Sequence, residues 1–82
     1  MTFFGEIKRT DGETQTIFYL KTEPMPEHDR IIANGTKFLL LNEWLTPKRS
    51  FNKILVKILS NPPSNQFVGD TGWVEVSHTY LY

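Results

Sequence analysis

The sequence predicts an all-β domain, a small barrel of five or six strands with an N-terminal hairpin. No window places apolar residues at helical spacing over three turns. Turn-forming dipeptides recur instead, among them Asp11-Gly12, Asn34-Gly35 and Pro62-Pro63. The stretches between them are rich in β-branched and aromatic residues, and short strands between regularly placed turns are typical of a sandwich or barrel.

The N-terminal hairpin is predicted from residues 3–9 and 14–21, which flank Asp11-Gly12. Asp-Gly favours a two-residue type I′ turn, in which both central residues need positive φ. In the second strand, Thr16 and Phe18 share one face, whereas Ile17 and Tyr19 share the other. We expect the first strand to be an addition in front of the barrel.

Two longer strands are predicted in the middle of the chain. Asn34-Gly35 forms a turn into a strand over 36–43, and residues 53–60 alternate in part. We expect both lysines of the second strand, Lys53 and Lys57, to face water. The expected core consists of the apolar residues that alternate toward one face: Phe38, Leu40, Val56, Ile58 and Val74.

The end of the chain carries the most specific pattern. Residues 69–74 read Gly-Asp-Thr-Gly-Trp-Val, followed by a short polar turn and by Tyr80-Leu81. Earlier, residues 35–41 read Gly-Thr-Lys followed by four apolar residues, and Pro24 ends the run 18–24. In this order, residues 18–81 resemble the bacterial SH3-like (SH3b) domain family. The resemblance implies that 71–82 form the last two strands of the barrel, joined by a 3₁₀ turn.

Composition limits the class of protein. Eighty-two residues make one domain, 1–82, and 39% apolar with 13% aromatic residues suffice for a small core. Nine basic and nine acidic residues balance, which argues against a generally basic nucleic-acid binder. The chain has no cysteine, no apolar run long enough for a membrane helix, and no secretory signal at its start. We therefore expect a cytoplasmic protein without membrane contact.

Catalysis is not indicated by the sequence. The only histidines are His28 and His78, and Ser77 beside His78 is not a dyad because adjacent side chains on a turn point apart. The sequence offers no carboxylate that would orient the His78 imidazole. It also lacks a phosphate-binding glycine loop. We predict a protein that is not an enzyme and that uses no cofactor or metal.

Two groups of residues are candidates for binding. The first is a basic and aromatic loop, and the second is an aromatic groove. Their members are Trp44, Lys48, Arg49, Phe51 and Lys53 for the loop, and Tyr19, Trp73 and Tyr80 for the groove. Aromatic side chains beside cations can stack on bases or hold a peptide. The lysines of 53–57 equally fit an edge strand protected against aggregation, and Trp44 equally fits a cap on the barrel core.

The favoured hypothesis is a non-catalytic module that binds another protein, as an adaptor, an inhibitor or an assembly subunit, in the style of a small phage protein. Nucleic-acid binding through 44–57 is the alternative from the residues. The SH3b resemblance by itself implies binding to cell-wall peptidoglycan. The sequence does not determine the oligomeric state.

Overall fold

The computed structural model describes residues 3–20, 27, 29–45 and 53–82, and for 42–45 it describes the backbone alone. Within these residues no helix is long and apolar enough to cross a membrane. The elements follow in chain order as β1 (Phe3–Ile7), β2 (Gln15–Phe18), β3 (Arg30–Ala33), β4 (Lys37–Leu45), β5 (Lys53–Ser60), β6 (Thr71–Glu75), a 3₁₀ turn (Val76–His78) and β7 (Thr79–Leu81).

The protein is all-β, as predicted, and its architecture is that of a small β-barrel. Five strands form a curled antiparallel sheet in the order β6-β5-β4-β1-β7, and β2 pairs with β3 in a separate two-stranded sheet. Irregular register in β4 between Leu40 and Trp44 marks a bulge, which increases local twist. A backbone bridge between Tyr19, just after β2, and Trp73 on β6 connects the two sheets.

The core lies between the curled sheet and the β2–β3 hairpin. All five residues expected in the core are buried, which confirms the predicted alternation of β4, β5 and β6. The core also contains four further apolar residues: Ile7, Phe18, Ile32 and Ile54. Leu20, Phe67 and Val76 pack against this cluster from the margins.

The predicted N-terminal hairpin is wrong, although Gly12 has the positive φ expected of a turn. β1 pairs with β4 and β7 and lies inside the five-stranded sheet, whereas β2 pairs only with β3 among the named strands. Within the intervening loop, the Arg9 side chain donates hydrogen bonds to the Asp11 carboxylate and to the Gln15 carbonyl oxygen. β1 is therefore not an addition in front of the barrel, and seven strands are described in all.

Gly5 explains why β1 fits inside the sheet. A Cβ atom built at Gly5 would lie 2.7 Å from the Tyr80 carbonyl oxygen and 2.8 Å from Cζ of Phe38. Real Cβ atoms do not approach other heavy atoms so closely. The bare backbone at Gly5 lets the Phe38 ring fill the space beneath β1, which favours pairing of β1 with β4 and β7.

The expectation that both β5 lysines face water holds for Lys57 and fails for Lys53. Lys57 is exposed, but only 6% of Lys53 is. The Lys53 Nζ atom lies 4.5 Å from the centroid of the Tyr19 ring. Because the Tyr19–Trp73 bridge draws Tyr19 over the β5–β6 sheet, the aromatic ring covers Lys53, and a cation–π contact offsets part of the lost hydration.

Candidate functional site

A cleft opens where β2 and β6 separate. At Tyr19 and Trp73 the two backbones exchange hydrogen bonds of 2.9 and 2.7 Å. Beyond this pair β6 ends at Glu75 and the chain enters the 3₁₀ turn, so the ladder does not continue toward Gln15. The space between the two segments has a volume of about 250 Å³. We call it the β2–β6 cleft; it is lined by Arg9, Glu13, Gln15, Thr16, Ile17, Tyr19, Ile31, Glu75 and His78.

One wall of the β2–β6 cleft is apolar. Ile17 of β2 and Ile31 of β3 are register partners, and both are exposed, Ile31 by 62%. Tyr19 lies two residues from Ile17 and therefore on the same face of β2. Two exposed isoleucines beside a half-buried tyrosine at a concave site are a typical feature of a binding surface.

The opposite end of the β2–β6 cleft holds a chain of polar contacts through His78. Its Nδ1 atom is 2.5 Å from the Thr16 hydroxyl, and its Nε2 atom is 3.3 Å from the Glu75 carboxylate. With the Nε2 proton directed at Glu75, Nδ1 accepts the hydrogen bond that the Thr16 hydroxyl donates. These contacts connect β2 to the 3₁₀ turn and satisfy a hydroxyl that faces the core.

The expectation that no carboxylate orients the His78 imidazole is therefore wrong. Glu75 lies one turn before His78, and the 3₁₀ geometry brings positions i and i+3 together. A hydroxyl, an imidazole and a carboxylate in series can activate a nucleophile. Here Thr16 is only 3% exposed, so its hydroxyl has little access to a substrate, and the arrangement is suited to holding the cleft in shape.

Replacing Thr16 with valine should lower the free energy of unfolding by about 1–2 kcal/mol, because the partly buried His78 Nδ1 atom loses its hydrogen-bond donor. Urea denaturation followed by tryptophan fluorescence measures the change. Thr14→Val, at an exposed position just before β2, is the matched control and should change stability by less than about 0.5 kcal/mol. Equal effects of the two substitutions would show that the Thr16–His78 contact does not stabilise the fold.

Among the described residues that line the β2–β6 cleft, carboxylates outnumber cations. Glu13 and Glu75 line it, and its lining cation, Arg9, is paired with Asp11. The Arg9 hydrogen bond, and then the backbone N–H of Glu13, lower the pKa of the Asp11 carboxyl. Burial raises the pKa of the Tyr19 hydroxyl, and the charges of Glu75 and Asp29 raise it further.

The structure brings together three of the residues predicted to bind. Tyr19 bridges to Trp73 and covers Lys53, so these three form one surface beside the β2–β6 cleft. Tyr80 lies apart from them, on β7, where its ring contacts Lys8 and Tyr82.

The rest of the predicted basic loop is described only in part. Trp44 belongs to β4 and its backbone pairs with Ile54. Lys48, Arg49 and Phe51 lie outside the described residues.

The sequence reasoning missed the pairing of Ile17 with Ile31 and the role of His78. Alternation already placed Ile17 on the face away from Phe18, so an apolar residue directed outward was a signal that could have been used. No local sequence pattern predicts the contact between Thr16 and His78, because the two residues are 62 positions apart. Comparisons of this chain with protein-family models, curated proteins and solved structures find no match.

Proposed function

We propose that this protein is a non-catalytic binding module that holds a segment of a partner protein in the β2–β6 cleft. The observation that carries the proposal is the exposed pair Ile17–Ile31, in register on the hairpin and next to Tyr19. Burying such a pair against an apolar side chain of a partner releases water from both surfaces and favours association. A fold with its strand order fixed by a buried core can present this wall without rearrangement.

The partner segment that suits the cleft carries an apolar side chain beside a lysine or arginine. Glu13 and Glu75 line the cleft, whereas Arg9 is already paired with Asp11. These carboxylates would attract a cation of the partner, which accelerates encounter and sets orientation more than it adds affinity. The same carboxylates would repel a phosphate backbone.

Two further observations support a protein partner over a nucleic acid. Lys53, one cation of the predicted basic loop, lies under the Tyr19 ring instead of reaching into water. The formal net charge of the chain is zero. Nucleic-acid binding draws most of its affinity from exposed lysine and arginine on phosphates, so both observations weaken it here.

The fold type and location belong to the same proposal. An SH3-like barrel is supported by the five-strand order β6-β5-β4-β1-β7 with a 3₁₀ turn directly before the last strand. A cytoplasmic location is supported by the complete lack of cysteine, which is common in a reducing compartment where disulfides are not used.

Replacing Ile31 with arginine should weaken partner binding by about ten-fold or more, because it puts a charged side chain into the apolar wall and a cation beside the partner's own. The partner is first captured from nuclease-treated lysate of the source cell, then purified and titrated by calorimetry. Val68→Arg, at an exposed apolar position in the loop after β5, is the matched control and should leave affinity within about two-fold.

Glu13→Gln serves as the charge probe, since Glu13 is exposed and lines the cleft. It should slow association and reduce the dependence of affinity on salt. Unchanged binding of the Ile31→Arg protein would refute the cleft as the binding site. If the captured material is lost on nuclease treatment, nucleic acid would be favoured as the ligand.

A further inference from the structure

A second surface, separate from the β2–β6 cleft, lies at the edge of the five-stranded sheet. β7 pairs with β1 on one side and is the last strand of that sheet. Tyr80 and Tyr82 project from the outer face and are 53% and 61% exposed, and their rings meet edge to face at 5.9 Å. Phe4, whose carbonyl oxygen accepts the Tyr82 N–H, is also exposed and extends this aromatic face.

Backbone geometry shows which groups face the open edge. Tyr82 donates its N–H to the Phe4 carbonyl, and Lys8 donates its N–H to the His78 carbonyl. In an antiparallel ladder the bonded residues alternate, so Tyr80 also directs its backbone groups toward β1. Thr79 and Leu81 consequently direct theirs away from β1. The Thr79 N–H bonds to the Val76 carbonyl, which leaves the N–H and C=O of Leu81 as the central pair of the edge.

The edge lacks the features that normally prevent strand pairing. Residues 79–82 read Thr-Tyr-Leu-Tyr, without lysine, proline or any charged side chain. Glu6 on β1 and Lys8 just after β1 have opposite signs, and the formal net charge of the chain is zero. The net charge of the chain therefore does not oppose the approach of two copies.

We propose that β7 pairs with β7 of a second copy of this chain, antiparallel about a two-fold axis at Leu81. The Leu81 N–H of each copy would donate to the Leu81 carbonyl of the other. This register places Tyr80 beside Tyr82 of the second copy, and the reverse, so that four tyrosine rings cover one another on the outer face. The two sheets would become one continuous sheet across the axis.

A second copy fits this edge because the edge is complementary to itself. One residue, Leu81, supplies both the donor and the acceptor, and the two tyrosines on either side of it exchange places under the two-fold axis. An edge that binds a different protein would not need to be complementary to itself. The contact is short, so the dissociation constant should lie between about 1 µM and 1 mM, in the range of transient association.

Sedimentation equilibrium of the unmodified chain up to about 1 mM tests the proposal. We expect a monomer–dimer equilibrium, and a monomer throughout would overturn it. Amide hydrogen exchange measured by NMR identifies the residues at the contact between the two copies. The Leu81 amide should exchange quickly in dilute protein and at least about five-fold more slowly when the dimer is populated. The Tyr82 amide, bonded to Phe4 in both states, is the internal reference. A dimer without added protection at Leu81 would also overturn the proposal.

Tyr82→Lys and Tyr80→Lys provide independent tests, since each brings like charges together across the two-fold axis. Either should raise the dissociation constant by about ten-fold or more. Val68→Lys is the matched control on a distant exposed apolar residue and should leave it unchanged. The cleft variant Ile31→Arg should dimerise normally, which separates this surface from the proposed binding site. Normal dimerisation of both tyrosine variants would overturn the proposed register.

Discussion

Replacing Phe18 with alanine is expected to remove about 3–5 kcal/mol from the free energy of unfolding, the largest loss we predict for a single core residue of this chain. Phe18 is fully buried, and its ring reaches the backbone of β6 near Gly72. It is the main apolar connection between the β2–β3 hairpin and the curled sheet. Since a domain of this size has a total stability of roughly 5 kcal/mol, about 0–2 kcal/mol would remain, and up to about half of the variant should be unfolded at 25 °C.

Ile17→Ala is the matched control for this prediction. Ile17 is adjacent in sequence but lies on the exposed face of β2, so its loss should change stability by less than about 0.5 kcal/mol. Far-UV circular dichroism and urea denaturation measure both variants. Comparable destabilisation by the two substitutions would contradict the placement of Phe18 on the buried face of β2 and Ile17 on its exposed face. The Ile17→Ala protein should remain folded and lose affinity for the partner, because Ile17 lines the β2–β6 cleft.

Gly72→Ala is expected to destabilise the protein by about 3 kcal/mol through overpacking. A Cβ atom at residue 72 would lie 2.6 Å from the Tyr19 carbonyl oxygen and 2.7 Å from two ring carbons of Phe18. Neither neighbour can move freely: the Tyr19 carbonyl accepts the Trp73 N–H, and Phe18 is held in the core. The added methyl group would therefore push β2 away from β6 and weaken closure of the barrel.

Thr71→Ala, at the exposed position just before Gly72, controls for general effects of alanine in β6 and should cost less than about 1 kcal/mol. Thermal denaturation compares the two proteins. Amide exchange adds a local measurement, because the Trp73 N–H should lose protection in Gly72→Ala even at temperatures where the protein is folded. A Gly72→Ala protein as stable as Thr71→Ala would show that the close approach of β2 and β6 is not required.

Strands with strong local signals could be predicted from the sequence. β5 has the predicted bounds, 53–60, and the 3₁₀ turn with its closing strand follows β6 as expected. In these segments the alternation of apolar residues and the adjoining turns agree, and both depend only on neighbouring residues. The Asn34-Gly35 turn into β4 is confirmed for the same reason, with Gly35 at positive φ.

The partner of β1 could not be predicted in this way. Asp11-Gly12 forms a turn, and proximity in sequence favoured a hairpin across it. The choice was made by residues far along the chain, since Phe38 and Leu81 both fill the space that Gly5 leaves open. Strand pairing depends on which distant surfaces fit, and a local pattern contains no information on that fit.

The candidate site shows the same division. Tyr19 and Trp73 were predicted to share a groove, and they pair across the two sheets. Lys53 was expected in water because lysine is rarely buried, yet the Tyr19 ring covers it. Whether a given lysine is buried depends on what crosses over it in the folded chain.

By itself, the sequence determined that this protein is all-β, that β4, β5 and β6 bury their alternate residues, and that a 3₁₀ turn precedes the last strand. Only the tertiary structure decided that β1 lies within the sheet, that β2 and β6 diverge to open a cleft, and that His78 joins Thr16 to Glu75. The physical reason is the sequence separation over which each kind of interaction acts. Alternation and turn chemistry act over a few residues, whereas strand order, burial of a charge and assembly of a cleft depend on contacts between distant segments, as far apart in the chain as Phe4 and Tyr82.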